Sequence, residues 1–148
     1  MMEIILDTSV IIKWFVMGEN GEKNAMQIFN DICDEKIALV EPKLLFYEFN
    51  NVMNTLVKRG IKTKDVAIKD VVSLKNLLFG FHGFAEDIFH GSEILYLSLS
   101  MNLSSYDGTY VFLSQLYNIP FYTANEKLVA KVKKSHSMVN LLQNYHIQ

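Results

Sequence analysis

Three carboxylates stand out by where they fall in the chain: Asp7, Glu48 and Asp107. Asp7 ends the apolar run EIILD, and Asp107 lies within SSYDGTYVFL, in the first turn of a predicted helix. Glu48 lies at the margin of an apolar stripe formed by Leu45, Phe49, Val52, Met53 and Leu56 at spacings of three, four and seven. A carboxylate in such a place loses hydration and must be paired, protonated or bound to a metal. Three oxygen donors suit a hard cation such as magnesium, which prefers an octahedron of oxygens and keeps waters that substrate phosphates displace.

Each acid also has a sufficient structural account. Asp7 reads equally as a helix cap or strand-end turn, although Thr8 and Ser9 already offer capping groups. Glu48 satisfies its helix equally well by bending to solvent or to a lysine. Asp107 is favoured at a helix start by the dipole. Its neighbours Tyr106, Tyr110 and Val111 are predicted to face the core, with Gly108 and Ser114 leaving room beside it. Sixteen acids allow many such triples, so pattern alone leaves both readings open.

The elements that would position these groups alternate. Residues 3–7 read as a buried strand, and Val10–Phe15 open a first helix. Gly18–Gly21 breaks it, and Asn24–Cys33 carries Ala25, Ile28, Phe29 and Ile32 at helical spacing. Ile37–Val40 is a second strand. Pro42 suits a first helical turn, and that helix runs to Lys58 with Gly60 as its stop. Thr63 caps a helix through Leu78, and one strand is expected within Gly83–Phe89. Ser92–Met101 is a helix, and Ser104 or Ser105 caps the next, up to Tyr117. IPFYT is a strand entered through Pro120. Asn125 caps a basic helix through Lys133, and Met138–Leu142 forms a last strand or helix. Short apolar strands alternating with helices imply a parallel sheet covered on both faces, with ligands beyond the carboxyl ends of its strands.

Composition narrows the class. With 148 residues, half of them apolar and a fifth charged, one ordered domain with one substantial core is expected. The single cysteine, Cys33, excludes an internal disulfide and a cysteine-based zinc site, and fits a reducing cytoplasm. The stretch Ile4–Met17 is interrupted by Asp7 and Lys13 and does not read as a targeting segment. No segment approaches the roughly 18 uninterrupted apolar residues of a membrane helix. Net charge is −2, but bases cluster at Lys58, Arg59, Lys62, Lys64, Lys69 and Lys75, and again at Lys127, Lys131, Lys133 and Lys134. Such clusters are more often solvated helix faces than binding sites. His82, His90, His136 and His146 are scattered and read as surface or core residues.

The stretch ILDTSVIIKWF, from Ile5 to Phe15, closely resembles the opening of PIN-domain proteins of the VapC toxin type. PKLLFYEFNNVM, from Pro42 to Met53, and LSSYDGTYVFLSQLYNIPFYTANEKL, from Leu103 to Leu128, follow in the family's order. The resemblance implies a single PIN domain over 1–148: a three-layer α/β/α fold with a four- or five-stranded parallel sheet. It maps the family's acidic site onto Asp7, Glu48 and Asp107 as metal ligands. It further implies RNA cleavage dependent on magnesium, with manganese able to substitute, a small antitoxin partner and a homodimer. One departure is evident. Asn125 stands where the family often has a fourth acid, and an amide oxygen there brings no negative charge, so a second metal would bind more weakly. Thr123 matches, and Thr8, Ser9 and Lys13 are expected in support, Lys13 and the basic clusters toward the phosphate backbone. None of the seven tyrosines and ten phenylalanines is assigned to RNA. Two alternatives accompany this reading: a non-catalytic module that binds RNA or protein, and a housekeeping RNA-processing nuclease.

Overall fold

A computed structural model of the chain describes residues 1–81, 83–84 and 87–146, with backbone alone between 79 and 88. The order is β1 (Met2–Leu6), α1 (Thr8–Ile11), a 3₁₀ turn at Ile12–Trp14, α2 (Glu22–Cys33), β2 (Ile37–Glu41) and α3 (Leu44–Lys58). Then come α4 (Lys64–Phe81), β3 (Gly83–Phe84), α5 (Gly91–Met101), α6 (Ser105–Tyr117), β4 (Phe121–Thr123), α7 (Glu126–Val132) and β5 (Val139–Leu141).

The strands form one five-stranded parallel sheet in the order β3-β2-β1-β4-β5. β1 is central and pairs Ile4 with Leu39 on one side and Leu6 with Tyr122 on the other. Alternation along it feeds two cores, because successive side chains point to opposite faces. Ile4 and Leu6 join Val10, Ile28, Leu39, Leu45 and Phe49 in the layer of α1 to α4. Ile5 joins Tyr110, Val111, Phe121, Leu128 and Val132 in the layer of α6 and α7. This is the expected three-layer α/β/α arrangement. Strand order reverses between β1 and β4, so the crevice at their carboxyl ends is where such a fold gathers a ligand.

Local chemistry explains the boundaries that carry the site. Ser104 caps α6 by accepting from Asp107 N at 3.0 Å, and Asn125 caps α7 by accepting from Leu128 N at 3.1 Å. A Cβ at Gly108 would lie 1.9 Å from Ser98 Oγ, so α5 and α6 cross closely just behind Asp107. Two expectations are corrected. The first helix begins at Thr8 and is capped by Asp7 itself, not by Thr8 or Ser9. Tyr106 does not face the core: it sits one turn before Tyr110, in the first turn of α6, and is 63% exposed. Tyr110 and Val111 are buried as expected. Of the histidines, His136 is buried and His146 exposed, while His82 lies outside the described residues. Among the described residues no helix is long and apolar enough to cross a membrane.

Candidate active site

Asp7 leaves the end of β1 only 8% exposed, and its two carboxylate oxygens are held from different directions. Oδ1 accepts from Ser9 N at 2.9 Å and from Ser9 Oγ, and Oδ2 accepts from Thr123 Oγ1 at 2.5 Å. Each hydroxyl is itself an acceptor: Ser9 Oγ from Ala124 N at 2.9 Å, Thr123 Oγ1 from Asn125 N at 3.0 Å. A hydroxyl has one proton, so backbone donors that fill its lone pairs turn that proton toward Asp7. The two hydroxyls thereby favour the charged carboxylate. Burial acts more strongly in the opposite sense and raises the Asp7 pKa above its ordinary value.

The second group of acids enters from α3, α6 and the end of β2. Glu48 is half-buried and accepts from Tyr110 Oη at 3.0 Å. Its carboxyl is pushed up by burial first, with the Tyr110 hydrogen bond opposing and the charges of Asp7 and Asp107 adding. Asp7 and Asp107 therefore both lie within electrostatic reach of Glu48. The buried Thr8 hydroxyl completes no hydrogen bond, although it lies near enough to favour the charged form of Glu48. Tyr110 stacks on Phe121, its ring planes 12° apart, and burial holds its phenol far above the ordinary range. It therefore remains a proton donor to Glu48.

A fourth acid, absent from the sequence reading, joins them. Glu41, the last residue of β2, is 1% exposed. Its Oε1 accepts from Leu6 N at 2.8 Å, and its Oε2 has no hydrogen-bond partner among the described residues. Burial pushes its pKa well up, opposed by the Leu6 N–H and reinforced by Asp7 and Glu48. The signal for it was the strand's own period: Ile37 and Leu39 point inward, and one further step of two reaches Glu41.

The remaining expected residues divide. Thr8, Ser9 and Thr123 surround Asp7 and Glu48 as described. Asn125 is exposed, with its amide oxygen engaged in capping α7 and its backbone N–H bound to Thr123. Lys13 is 7% exposed on the 3₁₀ turn and pairs with Glu19 at 3.3 Å. In the first basic cluster, Lys62 is likewise engaged by Asp70 at 2.6 Å.

The donor chemistry is that of a hard-cation site: carboxylates and hydroxyls, with no group of His and Cys ligands beside them among the described residues. Among the described residues no cationic side chain pairs with Asp7, Glu41, Glu48 or Asp107. Nor, among them, is any trio of His, Cys, Asp or Glu grouped so that it could itself hold a metal ion. These two facts are compatible, because magnesium is commonly held by one or two carboxylates with waters completing the octahedron. A cleft of about 710 Å³ opens beside the acids, lined by Thr8, Ser9, Leu44, Tyr47, Glu48 and Tyr106 among others.

Comparison with known proteins fits this architecture. The chain resembles the solved structure of PAE2754 from Pyrobaculum aerophilum, with a TM-score of 0.68 at 20% identity, covering 96% of this chain and 92% of that one. It also resembles FitAcB from Neisseria gonorrhoeae, with a TM-score of 0.52 at 12% identity, covering 96% of this chain and 99% of the other. No curated protein matches the chain. The family model of the PIN domain matches residues 4–134, and the chain belongs to the PIN-domain family.

Proposed function

We propose that residues 1–148 form one PIN domain that acts as a magnesium-dependent endoribonuclease, the toxin of a VapC-type pair. PIN domains are generally nucleases that use divalent metal ions. The observation that carries the reading here is electrostatic. Asp7 and Asp107 both act on Glu48 at the strand-order switch, all three buried or half-buried, with no cationic side chain pairing them among the described residues. Like charges so placed favour a bound cation.

Asp7, Glu48 and Asp107 would hold the ion between them, one or two directly and the rest through its waters, with manganese able to replace magnesium. When bound, such an ion supplies a water of lowered pKa and neutralises charge on the phosphate. The chain's own groups do the rest. Ser9 and Thr123 fix the Asp7 carboxylate in one orientation, and Tyr110 orients Glu48. No nucleophilic side chain is needed: water attacks in line, leaving a 5′-phosphate and a 3′-hydroxyl. Asn125, through its backbone N–H, supports Thr123 and adds no charge.

Cleavage of single-stranded RNA in magnesium or manganese tests this. Asp7→Asn should lower the rate by about 10²- to 10³-fold, the several kcal/mol that metal-centred charge stabilisation supplies. Activity that survives Asp7→Asn would belong to a contaminating nuclease and remove the proposal. The antitoxin partner and the homodimer rest on the VapC-like motifs, and a cytoplasmic location on those motifs and the free Cys33. A short upstream reading frame encoding a DNA-binding-like head and an apolar, basic tail would support the toxin role. Its absence would favour RNA processing instead.

A further inference from the structure

We propose that Tyr47 and Tyr106 form a stacking clamp for unpaired nucleobases, which makes this site selective for single-stranded nucleic acid. The inference rests on the nuclease reading above and specifies the substrate's conformation. Each ring belongs to the residue immediately before a site acid, Tyr47 before Glu48 on α3 and Tyr106 before Asp107 on α6. They come from different layers of the fold, yet both line the same cleft as Glu48, Thr8 and Ser9. Neither is used by the cores: Tyr47 is 75% exposed and Tyr106 63%.

Two large exposed aromatics on one concave, largely apolar wall have a specific use. Bases stack on aromatic side chains with little regard to sequence, because every base has a π-face. Ile12, Leu44 and Val52 give the cleft an apolar wall. At about 710 Å³ it lies within the range of ordinary small-ligand sites. Continuity with the acids sets the occupant. Glu48 lines the cleft, so a strand whose phosphate sits at the carboxylates has this cleft beside it for its next bases. In an A-form duplex those bases are stacked within the helix and out of reach of the rings. Asn51, one turn after Tyr47 on the same helix, also lines the cleft and adds a polar group that can bond a base edge.

The test separates base from backbone. Short phosphorothioate-linked RNA strands, which resist turnover, would be titrated in magnesium by fluorescence anisotropy. One strand is intact, one carries abasic nucleotides at its centre, and one is annealed to its complement. The wild-type chain should bind the intact strand most tightly. Tyr47→Ala and Tyr106→Ala should each weaken that binding roughly 5- to 150-fold, the range found for loss of one stacking ring. Binding of the abasic strand should change little, and Tyr47→Phe and Tyr106→Phe should retain the wild-type preference. Equal affinity for intact and abasic strands, or a preference untouched by both alanine variants, would overturn the clamp and leave the cleft to another occupant, such as a protein segment. Because binding is read without cleavage, the two proposals fail separately. RNA hydrolysis with no base preference sinks the clamp alone. Base-dependent binding without hydrolysis sinks the nuclease reading alone. Both rings are exposed, so thermal melting should show all four variants folded.

Discussion

The two halves of the acidic site are built on opposite principles. Around Asp7 every contact is a matched donor and acceptor, and two hydroxyls and three backbone amides hold one carboxylate in one pose. Around Glu48 and Glu41 desolvation acts as it does on Asp7, but like-charge repulsion adds to it, and one phenol and one backbone N–H ease it. The first half is wired; the second is electrostatically frustrated. Satisfied buried polar networks rigidify a fold, whereas buried like charges store a tendency to take up a proton or a cation. A site needs both. The wired half gives position, and the frustrated half gives affinity for positive charge.

Cutting the frustrated half should show this most strongly. Glu48→Gln keeps an acceptor for Tyr110 but removes a charge that Asp7 and Asp107 both oppose. The expected result is an RNA-cleavage rate lower by about 10²- to 10³-fold. Thermal melting without metal should show stability unchanged or raised, the usual trade between activity and stability. A variant both less active and markedly less stable would erase the distinction between the halves.

The wired half should respond in the other sense. Thr123→Val removes the donor to Asp7 and the acceptor for Asn125 N inside a fully buried position. Denaturant unfolding should show a loss of about 1–3 kcal/mol, the cost of buried polar groups left unpaired. Stability equal to wild type would mean that water replaces the hydroxyl and that the wiring is not structural.

A pH series isolates Glu41. Its carboxyl holds a proton to higher pH in the folded chain than in the unfolded one. Below the ordinary glutamate range both states are protonated and folding carries no penalty from it. As pH rises through that range toward the folded pKa, the native state binds the extra proton and stability falls. The slope is at most about 1.4 kcal/mol per pH unit for one group. Glu41→Gln keeps an acceptor for Leu6 N and has no proton to lose. Metal-free unfolding curves of the two proteins should coincide in acid and diverge toward neutral pH, the variant being the more stable. Parallel curves would place Glu41 in a more polar setting than its burial implies.

The smallest effect belongs at the periphery of the wiring. Asn125→Ala should cost about 1 kcal/mol through loss of the α7 cap, while Asn125→Asp should keep the cap. Unfolding free energies of the pair measure this. A loss shared equally by both would mean that the amide nitrogen matters and the cap does not.

These contrasts also show what was readable from residue types. Short apolar runs in EIILD and IPFYT located β1 and β4, and with them the crevice, because a brief continuous apolar run between turn signals reads as a strand buried on both faces. The helical stripe around Glu48 located that acid at a margin, and the margin is where it lies half-buried. Asp7 was read as a choice between cap and site acid, yet it caps α1 while sitting among the site's acids, since one carboxylate has lone pairs for both roles. Glu41 went unseen because the strand was ended one residue early, at Val40, where Pro42 made a turn look imminent. Tyr106 was misplaced because helical phase tells which residues share a face, but not whether a neighbour covers that face at the first turn.

The hydroxyl of Thr123 meets the carboxylate of Asp7 across 116 positions of chain. That distance gives the acidic centre a schedule as well as a shape. A polypeptide still emerging from synthesis has its first acid from the outset but lacks the strand that orients it until nearly all of the domain has been made. The centre thus matures only when β4 docks beside β1, so a truncated or stalled chain carries the acids without the geometry that aligns them.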